Sequence, residues 1–105
     1  MTESARKKLV AWLERRAFDP VLRVKPEDYP PGKRDKLKDV QKRTRTEIER
    51  FRSYGSAQEV VTNFKRDLRS PPAQKVHREL EALGLPTINS LESEFEKLAT
   101  SLGAS

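Results

Sequence analysis

The chain contains few residues that could carry out catalysis. It has one histidine, His77, and no cysteine, which excludes thiol chemistry, disulfides and cysteine zinc sites. His77 precedes Glu81 by one helical turn, and such a pair could bind a metal or act as a base. Because no second histidine or cysteine is present, the pattern favours a boundary histidine that is hydrogen-bonded to its neighbours. We therefore expect neither a metal nor a cofactor.

Carboxylates and glycines give no stronger indication of an active site. Asp35 and Asp39 are four residues apart, but each has basic neighbours, which is typical of surface ion pairs. The four glycines all stand at predicted turns or helix ends, and the sequence has no Gly-rich phosphate-binding loop. The sequence thus predicts a protein that is not an enzyme.

The most unusual stretch spans residues 33–52, where nine of twenty positions are lysine or arginine. At about 100° per residue, its apolar side chains form one face and its cations line the two flanks of that face. The shorter flank carries three cations near Glu47, whereas the longer flank has Glu49 as its single acid. We use the name basic ladder for four cations of the longer flank, spaced three or four residues apart: Arg34, Lys38, Lys42 and Arg45.

Two interpretations of the basic ladder are open. Lysine and arginine stems can cover apolar neighbours while the charge stays in water, which would make the ladder an ordinary solvated rim. However, surface helices usually balance such charges with acids one turn away. The imbalance extends beyond the ladder, since residues 1–52 hold 16 basic and 9 acidic side chains and residues 53–105 hold 6 and 7. This asymmetry favours contact with a polyanion.

The residues do not determine a named activity, and two hypotheses follow from them. The first is a small non-enzymatic binding module that contacts a polyanion, namely nucleic acid, through the ladder. If the first two predicted helices pack side by side, three more cations would extend it: Arg6, Lys7 and Lys8. The alternative is a protein–protein adaptor or a self-associating bundle, with an acidic protein or the Glu-rich last helix of a second copy as partner.

A helix-turn-helix motif over residues 76–99 is an unfavourable explanation for nucleic-acid binding. Its second helix would have to enter a groove lined by phosphates. That helix carries Glu92, Glu94 and Glu96 but a single lysine, Lys97. A net negative helix is poorly suited to such a groove.

Five segments with helical periodicity predict an all-α fold, a small bundle of about five helices. The first two are predicted over residues 4–17 and 33–54, and the others begin at Ser56, at Ser70 and near residues 87–89. Pro20 is expected to end the first helix. The Pro-rich residues 18–32 then predict an extended connection, with a short edge strand near Val21 as one option.

Length and hydropathy set the remaining expectations. A chain of 105 residues predicts a single domain over residues 1–105, with a frayed tail at residues 103–105. The apolar runs are far shorter than the roughly 20 residues that a membrane-spanning helix needs. The N-terminus has no secretory signal pattern. We therefore expect a cytoplasmic protein with no membrane insertion.

Overall fold

A computed structural model describes residues 2–104 of the chain, except for the side chain of Thr2. All regular secondary structure in this range is helical, which confirms the predicted all-α fold. A π-helical turn, Glu14–Phe18, joins the first two α-helices, and two short 3-10 turns span Pro26–Asp28 and Asn89–Leu91. The α-helices are α1 (Thr2–Leu13), α2 (Asp19–Arg23), α3 (Pro31–Ser53), α4 (Ala57–Leu68), α5 (Pro71–Ala82) and α6 (Glu92–Ser101).

The first helix does not end before Pro20, and the prediction that it would was wrong. α1, the π turn and α2 follow one another without interruption, and we call residues 2–23 the N-terminal rod. A proline inside an α-helix loses one backbone hydrogen bond and clashes with the carbonyl four residues earlier. The preceding turn widens instead, because the N–H of Asp19 donates to the carbonyl of Glu14, five residues back. Pro20 then occupies the first turn of α2, where proline is tolerated.

The Pro-rich connection is consequently shorter than predicted. Residues 18–23 are helical, so Val21 lies in α2 and does not form an edge strand. An extended backbone is found at Val24, Lys25 and Tyr29 on either side of the 3-10 turn. The hydroxyl of Tyr29 donates to the carbonyl of Leu83 at 2.9 Å, which fixes the connection against the end of α5.

Local capping signals set several of the other helix ends. Ser56 and Ser70 accept backbone N–H bonds from Glu59 at 3.2 Å and Ala73 at 3.3 Å, as expected for N-cap serines. Gly84 has a φ of +73° and closes α5, with the N–H of Leu85 donating to the carbonyl of Leu80 at 2.9 Å.

The C-terminal segment is packed where the sequence predicts a frayed tail. Gly103 has a φ of +74°, and the N–H of Ala104 donates to the carbonyl of Ala99 at 2.8 Å. The side chain of Ala104 is buried in the main core. Ser105, the last residue of the predicted tail, lies outside the described residues.

Two hydrophobic clusters divide the interior. The larger one joins α1, the π turn, α4, α6 and the C-terminal half of α3, and at its centre the rings of Phe64 and Phe95 stack 3.9 Å apart. The smaller one joins α2, the middle of α3 and α5 through Val21, Val40 and Leu80. The molecule measures 47 × 21 × 19 Å. Since α3 and the N-terminal rod both contribute to the two clusters, these two elements connect the two ends of the molecule.

Candidate functional site

The last three cations of the basic ladder form an exposed row of positive charge without ion-pair partners among residues 2–104. The side chains of Lys38, Lys42 and Arg45 are exposed, and none of them forms an ion pair with any residue in the range 2–104. At a rise of about 1.5 Å per residue, these three positions cover about 10 Å of the α3 axis. A regular helix thus holds three cations at steps of about 6 and 4.5 Å on one flank.

Arg34, the first member of the ladder, has a different environment. Its Nε donates to the carbonyl of Tyr29 at 2.9 Å, and its Nη2 to the carbonyl of Glu27 at 3.4 Å. The residue is half-buried. Arg34 therefore braces the turn that precedes α3, and only part of its hydrogen-bonding capacity faces solvent.

Acids pair with most of the cations on the opposite flank of α3. Arg43 forms an ion pair with Asp39 at 3.3 Å. Arg50 donates through the same nitrogen to Glu47 and to Asp67 of α4. Lys36, the third cation of this flank, is exposed and forms no ion pair within residues 2–104. The two flanks therefore differ in degree: two of three cations are paired on this side, and none of Lys38, Lys42 and Arg45 is paired on the other.

The three cations of α1 do not continue the ladder. Arg6 pairs with Glu3, and its Nη1 donates to the backbone carbonyl of Arg52 at 3.4 Å. This contact is at the C-terminal end of α3, about 10 Å along the axis from Arg45 and about 27 Å from Arg34. Lys7 and Lys8 are exposed next to Arg6. The structure thus places Arg6, Lys7 and Lys8 beyond one end of the ladder.

Two cations that the sequence analysis left out lie closer to the ladder. The amide nitrogen of the buried Gln41 donates to the carbonyls of Val21 at 3.0 Å and Val24 at 2.8 Å, which fixes the end of α2 against α3. Gln41 lies between the core face and the ladder flank of α3. The exposed Arg23 and Lys25 adjoin Val24 in the chain, and neither forms an ion pair within residues 2–104. In the sequence, the one signal for this arrangement is the position of Gln41, which falls next to the core face of α3 in the helical period.

The acidic residues of α6 are already paired within the chain. Glu92, Glu94 and Glu96 lie 3.5, 3.0 and 3.9 Å from cationic nitrogens of the α4–α5 turn, the π turn and α4. The respective cations are Arg69, Arg16 and Lys65. This pairing leaves the acids of α6 less available to the ladder of a second copy.

His77 is more buried than the sequence analysis expected, and it lacks the predicted hydrogen bonds. The residue is 4% exposed, and neither ring nitrogen has a partner among the described residues. Burial lowers the pKa of His77, although the nearby Glu81 opposes this shift. The imidazole is therefore neutral at pH 7. Within residues 2–104 no three potential metal ligands cluster together.

Comparisons with protein-family models, with curated proteins and with solved structures give no significant match to this chain. Among the described residues, no helix combines the length and the apolar character that crossing a membrane requires.

Proposed function

We propose that the chain is a non-enzymatic binding module that contacts the phosphates of a nucleic acid through Lys38, Lys42 and Arg45. The observation that carries this proposal is the contrast between the two flanks of α3. These three cations are exposed and unpaired within residues 2–104, while acids hold two of the three cations of the opposite flank, Arg43 and Arg50.

The spacing of the three cations suits a phosphate backbone. A duplex carries one phosphate per about 3.4 Å of axis on each strand. Cations separated by about 6 and 4.5 Å along a helix can each reach a different phosphate, because lysine and arginine side chains are long and mobile. Arg23 and Lys25 supply further positive charge at the end of α2. An array of this kind contacts the backbone and does not read bases, so the binding is expected to be independent of sequence.

The test is the salt dependence of binding to a random duplex. Each phosphate contact contributes about 0.9 to the slope of log K against log salt. A triple variant with Lys38→Gln, Lys42→Gln and Arg45→Gln is expected to flatten this slope by about 2–3 and to weaken binding to all sequences alike. Glutamine retains good helix propensity, so the fold is expected to persist.

The chain offers a closely matched control. Lys75, Arg78 and Lys97 are also two lysines and one arginine, all exposed and without an ion pair within residues 2–104. Changing these three to glutamine alters the net charge by the same amount and is expected to leave most of the slope in place. Equal losses in the two triple variants would show a response to net charge alone and contradict the proposed site. A wild-type protein that binds no duplex or single strand at low salt would favour an acidic protein partner.

A further inference from the structure

A cavity of about 420 Å³ lies where the N-terminal rod, α3 and α5 meet. It is located between the two hydrophobic clusters, on the side of α3 that carries Arg43, Glu47 and Arg50. That side is about 150° around the helix axis from the centre of the basic ladder. The cavity is therefore separate from the proposed phosphate-binding face, and an inference about it stands independently of that function.

The walls of the cavity are mainly apolar. The rod, α5 and the loop before α6 contribute the side chains of Phe18, Val21, Val76, Leu80 and Ile88. Ala17 and Phe18 belong to the π-helical turn. π-helical turns are rare in proteins and are frequently found at functional sites. Small-molecule sites typically combine a volume of about 300–1,000 Å³ with such walls and a few polar groups.

The charged groups at the cavity balance one another. Arg50 donates to Glu47, to Asp67 and, at 3.2 Å, to the hydroxyl of Tyr54. Although burial alone would lower the pKa of Arg50, its hydrogen bonds with Asp67 and Glu47 outweigh burial and raise it. Arg43 is paired with Asp39. Two cations and two acids line the cavity, namely Arg43, Arg50, Glu47 and Asp67, so it offers no excess positive charge to attract an anionic ligand.

Three buried nitrogen atoms of the cavity residues lack hydrogen-bond partners within residues 2–104. They are Nε of Arg50 and both ring nitrogens of His77. Leaving a buried polar atom unsatisfied is unfavourable. Among these three atoms, only the acceptor nitrogen of a neutral His77 can bond to a donor group of a ligand. Rotating the imidazole by 180° about χ2 exchanges the positions of its carbon and nitrogen atoms while the ring occupies the same space. A neutral imidazole has one acceptor nitrogen, and this nitrogen requires a donor.

We propose that this cavity binds a neutral aromatic molecule of about two fused rings that carries one hydrogen-bond donor. The ring system contacts the apolar walls, and the donor group bonds to the acceptor nitrogen of His77. A cavity of about 150 Å³ binds benzene, so the larger volume here accommodates a bicyclic molecule. Glu47 and Asp67, which both accept hydrogen bonds from Arg50, select against anionic analogues.

Indole is a suitable probe for the experiment, with two analogues of similar shape. Benzofuran has the same outline but no N–H donor, and indole-3-carboxylate adds a negative charge. In amide-detected NMR titrations, indole is expected to shift the signals of cavity residues such as Val76 and His77 in a saturable way. Benzofuran is expected to bind about two- to tenfold more weakly, the factor that one net hydrogen bond gives. The carboxylate is expected to bind more weakly still.

Three variants separate the parts of the proposal. Ala73 lines the cavity and is half-buried, so Ala73→Phe is expected to fill it and weaken indole binding at least tenfold. Ala82 is exposed on the same helix, and Ala82→Phe is the control expected to leave binding unchanged. His77→Phe keeps a planar aromatic ring, slightly larger than imidazole, and removes both nitrogens. It is expected to retain the fold and to abolish the preference for indole over benzofuran.

Several results would overturn the proposal. One is that indole causes no saturable change in amide signals, and another is that it shifts the signals of residues outside the cavity. A third such result is that the wild type and a folded Ala73→Phe variant bind indole equally well. Equal affinity of the wild type for indole and benzofuran would exclude the bond to His77. Tighter binding of the carboxylate would contradict the inferred charge balance.

Discussion

Gln41 is predicted to fix the end of α2 against the flank of α3 that carries the ladder. The residue is 6% exposed, and its amide nitrogen donates to the carbonyls of Val21 at 3.0 Å and Val24 at 2.8 Å. A net contribution of about 0.5–1.5 kcal/mol per bond gives about 1–3 kcal/mol for the pair. Gln41→Met keeps the length of the side chain and removes both donors. It is expected to lower the free energy of unfolding by about that amount.

Gln41→Glu is a stronger perturbation of the same contact. At neutral pH it directs a carboxylate, which can only accept hydrogen bonds, at two carbonyl oxygens. The expected loss is about 3–5 kcal/mol, the range for a buried charge left without a partner. A domain of this size has a total stability of about 5–15 kcal/mol. Urea denaturation followed by circular dichroism at pH 7 can therefore measure both variants against the wild type.

The pH dependence of Gln41→Glu gives the sharpest check of this reasoning. The new carboxyl should have a pKa in the folded state that is raised above its ordinary value of about 4.3. Its destabilising effect is then full above the folded pKa and decreases as the pH falls through it, because the protonated carboxyl can again donate one bond. A loss below 1 kcal/mol at pH 7, or a difference from wild type that does not change with pH, would refute the assigned contact.

Two further predictions concern the cores and His77. Phe95 is fully buried between Trp12 and Phe64. Phe95→Ala is therefore expected to lower the free energy of unfolding, measured by urea denaturation, by about 3–5 kcal/mol. A loss below 1 kcal/mol would mean that α6 is not part of the cooperative core. Burial lowers the pKa of His77 in the folded state. As the pH falls, the imidazole therefore becomes protonated in the unfolded chain before it does in the folded protein. The free energy of unfolding of the wild type should fall by up to about 1.4 kcal/mol per pH unit as the pH drops below about 6.5. His77→Phe is expected to remove this part of the pH dependence, and identical wild-type and variant profiles between pH 7 and 5 would contradict the burial of a neutral imidazole.

The sequence was sufficient where a structural feature depends on residues close together in the chain. The N-caps at Ser56 and Ser70 and the C-terminal glycine Gly84 involve neighbours within five residues. For the same reason, the helical period of α3 correctly separated its core face from its two flanks. The exposure of Lys38, Lys42 and Arg45 follows from that period alone.

The features that the sequence did not predict depend on distant partners or on a rare backbone form. Pro20 remains in a helix because the preceding π turn accommodates a residue that has no backbone N–H to donate. Helix propensity alone favours a helix end at this proline. Arg34 and Gln41 bond to carbonyls whose positions depend on the path of the connection between α2 and α3. The missing partners of His77 result from the packing of α5 against the rod and α3, which no local pattern encodes.

The most direct test of the proposed nucleic-acid contact is an amide-detected NMR titration of the wild-type chain with a short random duplex at low salt. The proposal predicts that the largest shifts occur at Lys38, Lys42 and Arg45 and at the neighbouring Arg23 and Lys25, and that they vanish at high salt because the contact is electrostatic. Shifts centred on α4 or α6, shifts that persist at high salt, or no shifts at all would contradict the assignment of α3 as the binding face.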